Sequence, residues 1–142
     1  MQNKIIITNE NEKEYWIEYK KTLSPQIKEA LINRYAPLVK YEANKMQFIM
    51  KMPRIMTYVD FDDLESFGFL GFYNAIDRYN PKNESDIKFE TYASVKIQEA
   101  IYDELRKIDV LPKHIRKEIR EIAIIREILE IKLKEKAKPK EK

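Results

Sequence analysis

Apolar residues in this chain recur every three or four positions and almost never in long alternating runs. That spacing is the helix period, so the pattern predicts an all-α fold with solvated outer faces. Lys13–Lys21 reads as a short helix anchored by Trp16 and Tyr19. Ser24 before Pro25 has the form of an N-cap with proline at N1. The helix it opens carries Ile27, Leu31, Leu38, Val39 and Met46 on one side. Pro37 falls inside that run and leaves two readings, a kink near Asn33–Pro37 or two shorter helices. Pro53 closes the stretch that follows. Asp60 caps the next helix, with Asp63 at N3 adding negative charge at its positive end, and Asn80–Pro81 ends it. A further helix runs from about Phe89 to Ile108 with Ala93, Ile97, Ala100, Ile101 and Leu105 inward. The last opens at Leu111–Pro112 and keeps Ile115, Ile119, Ile122, Leu129 and Leu133 in register. Ile124, Ile125, Ile128 and Ile131 widen its apolar arc, which calls for a partner surface. Met1–Glu12 is expected to fray, apart from a short extended contact through Ile5–Ile7. Lys82–Asp86 forms a polar loop and Ala137–Lys142 a polar tail.

Both glycines, Gly68 and Gly71, sit in the Asp60–Asn80 helix. A mid-helix glycine costs about 1 kcal/mol relative to alanine, so close approach of another helix to that face is the expected compensation. With 142 residues and 44% apolar content, one cooperative core is the natural expectation. Cysteine is absent and His114 is the one histidine, which removes the raw material for structural zinc, iron–sulfur and thiol chemistry. No stretch approaches 18 uncharged apolar residues, and Met1–Glu12 lacks the apolar segment of a signal peptide. The expectation is a soluble, cytoplasmic protein that uses neither metal nor cofactor and contacts no membrane.

The net charge of +3 says little, but its distribution says more. Residues 1–60 hold 10 basic and 7 acidic groups, residues 61–86 hold 2 and 6, and residues 87–142 hold 15 and 11. An acidic middle between mildly basic flanks fits distinct partners for distinct faces, and it also fits ordinary solvated helices. Asp62, Asp63 and Glu65 admit three readings: a metal or acid–base site, helix-dipole capping, or a charged protein-docking surface. Phe89 and Tyr92 beside Lys88 and Lys96 are aromatics flanked by cations at a helix start. They suit stacking on unpaired bases with amines on phosphates, and they equally suit a core. His114, with Lys113, Arg116, Lys117 and Arg120, suits a duplex backbone or a charged outer face. His114 has no nucleophile or orienting partner that would make it a general base, so the chain is read as a non-enzyme.

RYAPLVKYEA (Arg34–Ala43), DFDDLESFGFLGFYNAIDRYNP (Asp60–Pro81), KFETYASVKIQEAIYDELRKID (Lys88–Asp109) and VLPKHIRKEIREI (Val110–Ile122) together resemble the central domain of bacterial RNA polymerase sigma factors. The DELR at Asp103–Arg106 and the L-P-x-x-I-R after it point to the flagellar and sporulation-type branch. The resemblance spans roughly Tyr15 to Ile122 with its motifs in order. It implies a compact helical region 2-like domain over residues 1–109, followed by the start of region 3 and a charged tail over residues 110–142. This last part is an extended amphipathic helix.

The resemblance further implies that Asp62, Asp63, Ser66, Phe67, Phe69 and Tyr73 dock onto the coiled coil of the largest subunit of core RNA polymerase. Lys88, Phe89, Thr91 and Tyr92 would lie near the displaced non-template strand of the −10 promoter element, with Tyr35 beside that pocket. Lys96, Gln98, Tyr102 and Arg106 would meet the upstream duplex edge, and His114 and Arg116 the duplex beyond. Phe67 and Phe69 stand where principal sigmas more often carry polar groups. Val95 and Lys96 replace their paired tryptophan wedge, and the Lys82–Ile87 loop is about two residues longer than in similar sequences. No helix-turn-helix for the −35 element is expected in the remaining residues, which fits either a piece of a longer protein or a reduced protein that works with a separate −35-reading subunit. The aliphatic surface of the last helix would then pack on a missing region or bind that subunit, and it is also the first place to look for an anti-sigma factor. The other reading is a helical adaptor or partner-sequestering protein that binds polymerase or a second sigma subunit without reading DNA.

Overall fold

The structure is a computed structural model and describes residues 4–49, 59–108 and 115–135. It contains α1 (Glu12–Thr22), α2 (Pro25–Tyr35), α3 (Pro37–Ile49), α4 (Phe61–Arg78), α5 (Phe89–Lys107) and α6 (Arg116–Lys134). No strand occurs among the described residues, so the all-α expectation holds. The expected domain boundary at 109/110, the helix start at Leu111–Pro112, Pro53 and the tail Ala137–Lys142 lie outside the described residues. The chain forms two compact units, Met1–Pro37 and Leu38–Lys142.

In the first unit Trp16 and Tyr19 of α1 are buried, as are Ile27, Leu31 and Tyr35 of α2. Trp16 and Tyr35 stack with ring centroids 6.3 Å apart. α1 ends on Leu23, whose left-handed backbone (φ 53°) lets its N–H reach the Tyr19 carbonyl. Ser24 Oγ then accepts from Ile27 N at 3.4 Å, and Pro25 takes the first helical turn as anticipated. The expected fraying does not extend through residues 4–11. Arg34 Nη1 donates to the Ile7 carbonyl at 2.8 Å and Nη2 to Asn9 Oδ1 at 2.6 Å, and the Ile7 side chain is buried. Of the two readings of Pro37, two helices is the observed one. α2 closes with Ala36 N donating to Ile32 O, and Pro37 opens α3, where a missing N–H costs nothing.

The second unit is built on the α4–α5 pair. Asp60 Oδ1 accepts from Asp63 N at 2.9 Å and Asp63 Oδ2 accepts from Asp60 N at 3.1 Å, a reciprocal capping box. Leu64, Phe72, Ala75 and Ile76 of α4 face a core shared with Phe89, Ala93, Ile97, Ile101 and Leu105 of α5. The two glycines let the helices close together: a Cβ on Gly71 would meet the Lys96 carbonyl, and one on Gly68 would meet Val39 Cγ1 at 3.0 Å. Asn83 orders the connecting loop. Its side chain bonds the Asn80 carbonyl, the Ile87 carbonyl and the Ile87 N–H.

α6 lies along α5. Ile115, Leu129 and Leu133 are buried, while Ile124, Ile125, Ile128 and Ile131 stay about half exposed. Its last turn is tied to the loop by Asn80 Nδ2 donating to the Leu133 carbonyl (2.6 Å) and Glu84 N donating to the Glu135 carbonyl (3.0 Å).

Candidate docking and nucleic-acid surfaces

Helix geometry divides the acidic helix into an inner and an outer face. Asp62, Ser66, Phe69 and Tyr73 recur at three- and four-residue steps on the outside of α4. Asp63 and Phe67 share the neighbouring row with Leu70. Asp62 and Ser66 are open to solvent, Leu70 is 59% exposed and Tyr73 44% exposed. Phe69 stacks on Tyr73 with centroids 5.6 Å apart and meets Phe72 edge-on, so the exposed rings are held in place by the buried one. The result is a surface with carboxylates at the positive helix end and an aromatic and aliphatic patch below them. Leu70 was not singled out from the sequence, although its spacing from Phe67 and Tyr73 was available to mark it.

Asp63 is engaged in the capping box, and Asp62 has no part in it. Among the described residues no group of three or more His, Cys, Asp or Glu side chains is placed to hold a metal ion.

On α5 the nominated residues separate. Lys88 and Thr91 are exposed at its start. Phe89 is buried against Phe72 and Tyr79, and Tyr92 is fully buried with its ring over Tyr79. As placed, neither ring offers an open face to a base: the spacing that suits stacking has been used for a core.

Tyr92, Lys96, Glu99, Tyr102 and Arg106 follow one another along a single face, and α6 covers much of it. Tyr92 Oη donates to Glu130 Oε1 at 2.6 Å, and Lys96 Nζ lies 3.7 Å from the same oxygen. Arg126 Nε donates to both carboxylate oxygens of Glu99 at 3.1 and 3.2 Å. Tyr102 Oη donates to Glu118 at 3.4 Å. Burial, reinforced by these carboxylates, pushes the Tyr92 and Tyr102 hydroxyls far above the usual phenol range, so both act only as neutral donors. The Glu99 bond holds Arg126 above its usual range.

Arg106 is exposed and pairs with Asp103 at 3.1 Å, and Arg116 is exposed at the start of α6. His114 lies outside the described residues. Tyr35, nominated for the same pocket, belongs to the first unit. Its hydroxyl donates to Glu12 at 2.7 Å, and burial, then that carboxylate, push it up to about 12.

Gln98 is also engaged. Its Nε2 donates at 2.9 Å to Glu42, a carboxylate only 3% exposed that sequence reasoning missed because it is polar within an apolar run. Burial raises the Glu42 carboxyl above its ordinary 4.5, opposed by Lys45, Gln98 and Ser94. A raised folded value means the folded state holds this proton more tightly than the unfolded chain. Its contribution to stability is therefore present below 4.5 and is lost as pH rises through the folded value. Glu42→Gln should accordingly be more stable than the parent at neutral pH, with the difference closing as pH falls through the raised folded value and gone below 4.5. Paired urea melts across pH check this, and a difference that does not change with pH would refute it.

Between α4 and α5 an open groove of about 620 Å³ is lined by Leu70, Asn74, Arg78, Lys96, Arg106 and Lys107, with Glu99, Asp103 and Glu104 opposite in charge. A groove of mixed sign suits oriented contact with a charged polymer more than enclosure of a small molecule. Among the described residues no helix is long and apolar enough to cross a membrane.

Residues 31–109 match the family described as Sigma-70 region 2. Over 115 residues the chain is 37% identical to the RNA polymerase sigma-D factor of Bacillus subtilis, covering 81% of this chain and 42% of that protein. It is 40% identical over 96 residues to the RNA polymerase sigma factor FliA of Salmonella typhimurium, covering 68% and 37%. The FliA of Pseudomonas aeruginosa is 34% identical over 102 residues, covering 72% and 38%. The chain thus spans about two fifths of the length of these relatives. No solved structure matches it significantly.

Proposed function

The chain belongs to the Sigma-70 region 2 family, and on that premise we propose that it is a non-enzymatic specificity factor of flagellar type for bacterial transcription initiation. It binds core RNA polymerase through the outer face of α4 and helps to open promoter DNA by taking up −10 bases beside the start of α5. Catalysis belongs to the polymerase, and the work takes place in the cytoplasm. Residues 1–109 form the region 2-like part, and residues 110–142 the start of region 3 with its tail. The half-exposed isoleucines of α6 are the place for an anti-sigma factor or a −35-reading subunit.

The observation that carries this reading is the outer stripe of α4. Asp62 and Ser66 stand open beside an exposed Leu70 and Tyr73, on a helix whose inner face is buried against α5 and, at Gly68, Val39 of α3. An exposed apolar patch rimmed by charge is what a protein partner covers. Lys88 and Thr91, exposed where α5 begins, supply the first contacts for a strand. A second reading, an adaptor that holds polymerase without reading DNA, is favoured by the cover that α6 places over Tyr92, Lys96 and Tyr102.

Asp62→Lys is the cleanest probe of docking, because it reverses charge without touching the capping box. Its affinity for core polymerase should fall by about tenfold or more, since a like charge in a desolvated interface costs several kcal/mol, and its melting temperature should hold. Asp63→Ala should lose about 1 kcal/mol of stability through the cap and so reports on both effects at once. Polymerase binding by Asp62→Lys equal to the parent would refute the assignment of this face. Permanganate reactivity of promoter thymines in the polymerase complex decides between the two readings. Localised reactivity supports a promoter-opening factor, and binding without it supports the adaptor.

A further inference from the structure

Three donors from two helices converge on one side chain of α6. Arg78 Nη1 of α4 lies 3.6 Å from Glu130 Oε1, Tyr92 Oη of α5 donates to that oxygen at 2.6 Å, and Lys96 Nζ lies 3.7 Å from it. Two cations and a hydroxyl around a single carboxylate leave an excess of positive charge at the spot. The Lys96 side chain is 12% exposed and the Glu130 side chain 15%, whereas Arg78 is 59% exposed. The cluster is therefore sheltered on one side and open to solvent at Arg78.

A carboxylate and a phosphodiester each carry one negative charge spread over oxygens, and both accept charge-assisted bonds from this donor set. The set also lies at the edge of the α4–α5 groove, which Arg78 and Lys96 both line. We infer that Glu130 is a cis-acting stand-in for a backbone phosphate: Arg78, Tyr92 and Lys96 form a phosphate site for single-stranded nucleic acid, and α6 fills it with its own carboxylate until that helix leaves α5.

The inference rests on the reading of α5 as a nucleic-acid surface and adds its regulation. It accounts for Tyr92 and Lys96 being engaged by the chain itself at the place where a strand is proposed to lie. The cover is held by a narrow apolar seam. On α6 and the residue before it, Ile115, Leu129 and Leu133 are buried, and four isoleucines remain about half exposed. The polar links beside the seam, Arg126 to Glu99 and Tyr102 to Glu118, use groups that water or a ligand can satisfy equally well. Displacing α6 therefore exposes little apolar surface relative to unfolding the α4–α5 core.

Binding of a fluorescein-labelled oligothymidylate to the full chain, followed by anisotropy, tests this. Glu130→Gln should bind it about fivefold or more tightly than the parent, because a competitor for the site has lost its charge. Adding Lys96→Gln to that variant should abolish the gain. In a second arm, Glu99→Cys/Arg126→Cys is joined by a short bis-maleimide linker, which the cysteine-free background makes specific. The linked protein should bind the oligonucleotide at least about fivefold more weakly than the unlinked double variant, at equal helical content by circular dichroism.

Equal affinity for Glu130→Gln and parent, or for linked and unlinked protein, would overturn the inference. So would displacement of the oligonucleotide by inorganic phosphate at matched phosphate concentration, which would mark a free-anion site and not a strand site. Core polymerase binding is measured on the same variants. Its absence throughout, with the oligonucleotide effects intact, would remove the polymerase reading and leave this one standing.

Discussion

Gly71→Ala is expected to destabilise the second unit by about 3 kcal/mol, which is at the upper end for overpacking. The new Cβ would fall on the Lys96 carbonyl oxygen and lie 2.7 Å from its carbon and 2.9 Å from Ala100 Cβ. The first two are backbone atoms of α5, so relief requires moving one helix relative to the other. Gly68→Ala is the matched control. Its Cβ would meet Val39 Cγ1 at 3.0 Å and Ile97 Cγ2 at 3.1 Å, both side-chain atoms with room to adjust. A helix-propensity gain of about 1 kcal/mol offsets part of the cost in each case, so Gly68→Ala should fall within about 1 kcal/mol of the parent. Urea melts of the two variants measure the contrast, and equal stabilities would mean that the helices do not approach this closely. Because Lys96 carries both the clashing carbonyl and a link to Glu130, Gly71→Ala should also loosen the hold of α5 on α6.

Tyr92→Ala is expected to cost about 3–5 kcal/mol, the range for deleting a buried aromatic ring. Tyr92 is fully buried with its ring stacked 6.4 Å from Tyr79. Tyr92→Phe keeps the ring and removes only the hydroxyl that donates to Glu130, a loss of about 1 kcal/mol. Thermal melts should therefore separate the two widely, and a Tyr92→Ala protein as stable as Tyr92→Phe would show that the ring is not core. For function this means that Tyr92→Ala confounds nucleic-acid binding with folding. Tyr92→Phe isolates the contact with Glu130.

Much of the architecture was legible in the chain because local chemistry and packing point the same way. Ser24–Pro25 and Asp60–Asp63 have few roles other than opening helices, and both do so. Two glycines three residues apart on the apolar side of one helix announced a close neighbour. Pro37 was ambiguous because proline is tolerated at N1 as readily as it kinks an interior, and the choice depends on the packing of the residues on either side.

The surfaces were less legible, for reasons that particular residues show. Phe89 and Tyr92 sit among cations at a helix start, a pattern that serves stacking and core equally; what decides is whether another element covers them. Register did separate Ile115, Leu129 and Leu133, which are buried, from Ile124, Ile125, Ile128 and Ile131, which stay out, but it could not tell that Ile119 and Ile122 of the same stripe are only partly covered. Nothing in the local sequence marks Glu42 or Glu130. Their significance depends on Gln98, Tyr92 and Lys96, which are far away in the sequence.

Trp16 is the chain's one tryptophan, and it is stacked on Tyr35 within Met1–Pro37. Indole emission excited selectively therefore originates in the first unit, whereas most of the far-ultraviolet dichroism comes from the longer helices α4, α5 and α6. The protein carries its own pair of spectroscopic channels, one placed in the first unit and one weighted towards the second, without a label or an added residue. Their overlay during denaturation measures whether the two units melt as one cooperative body.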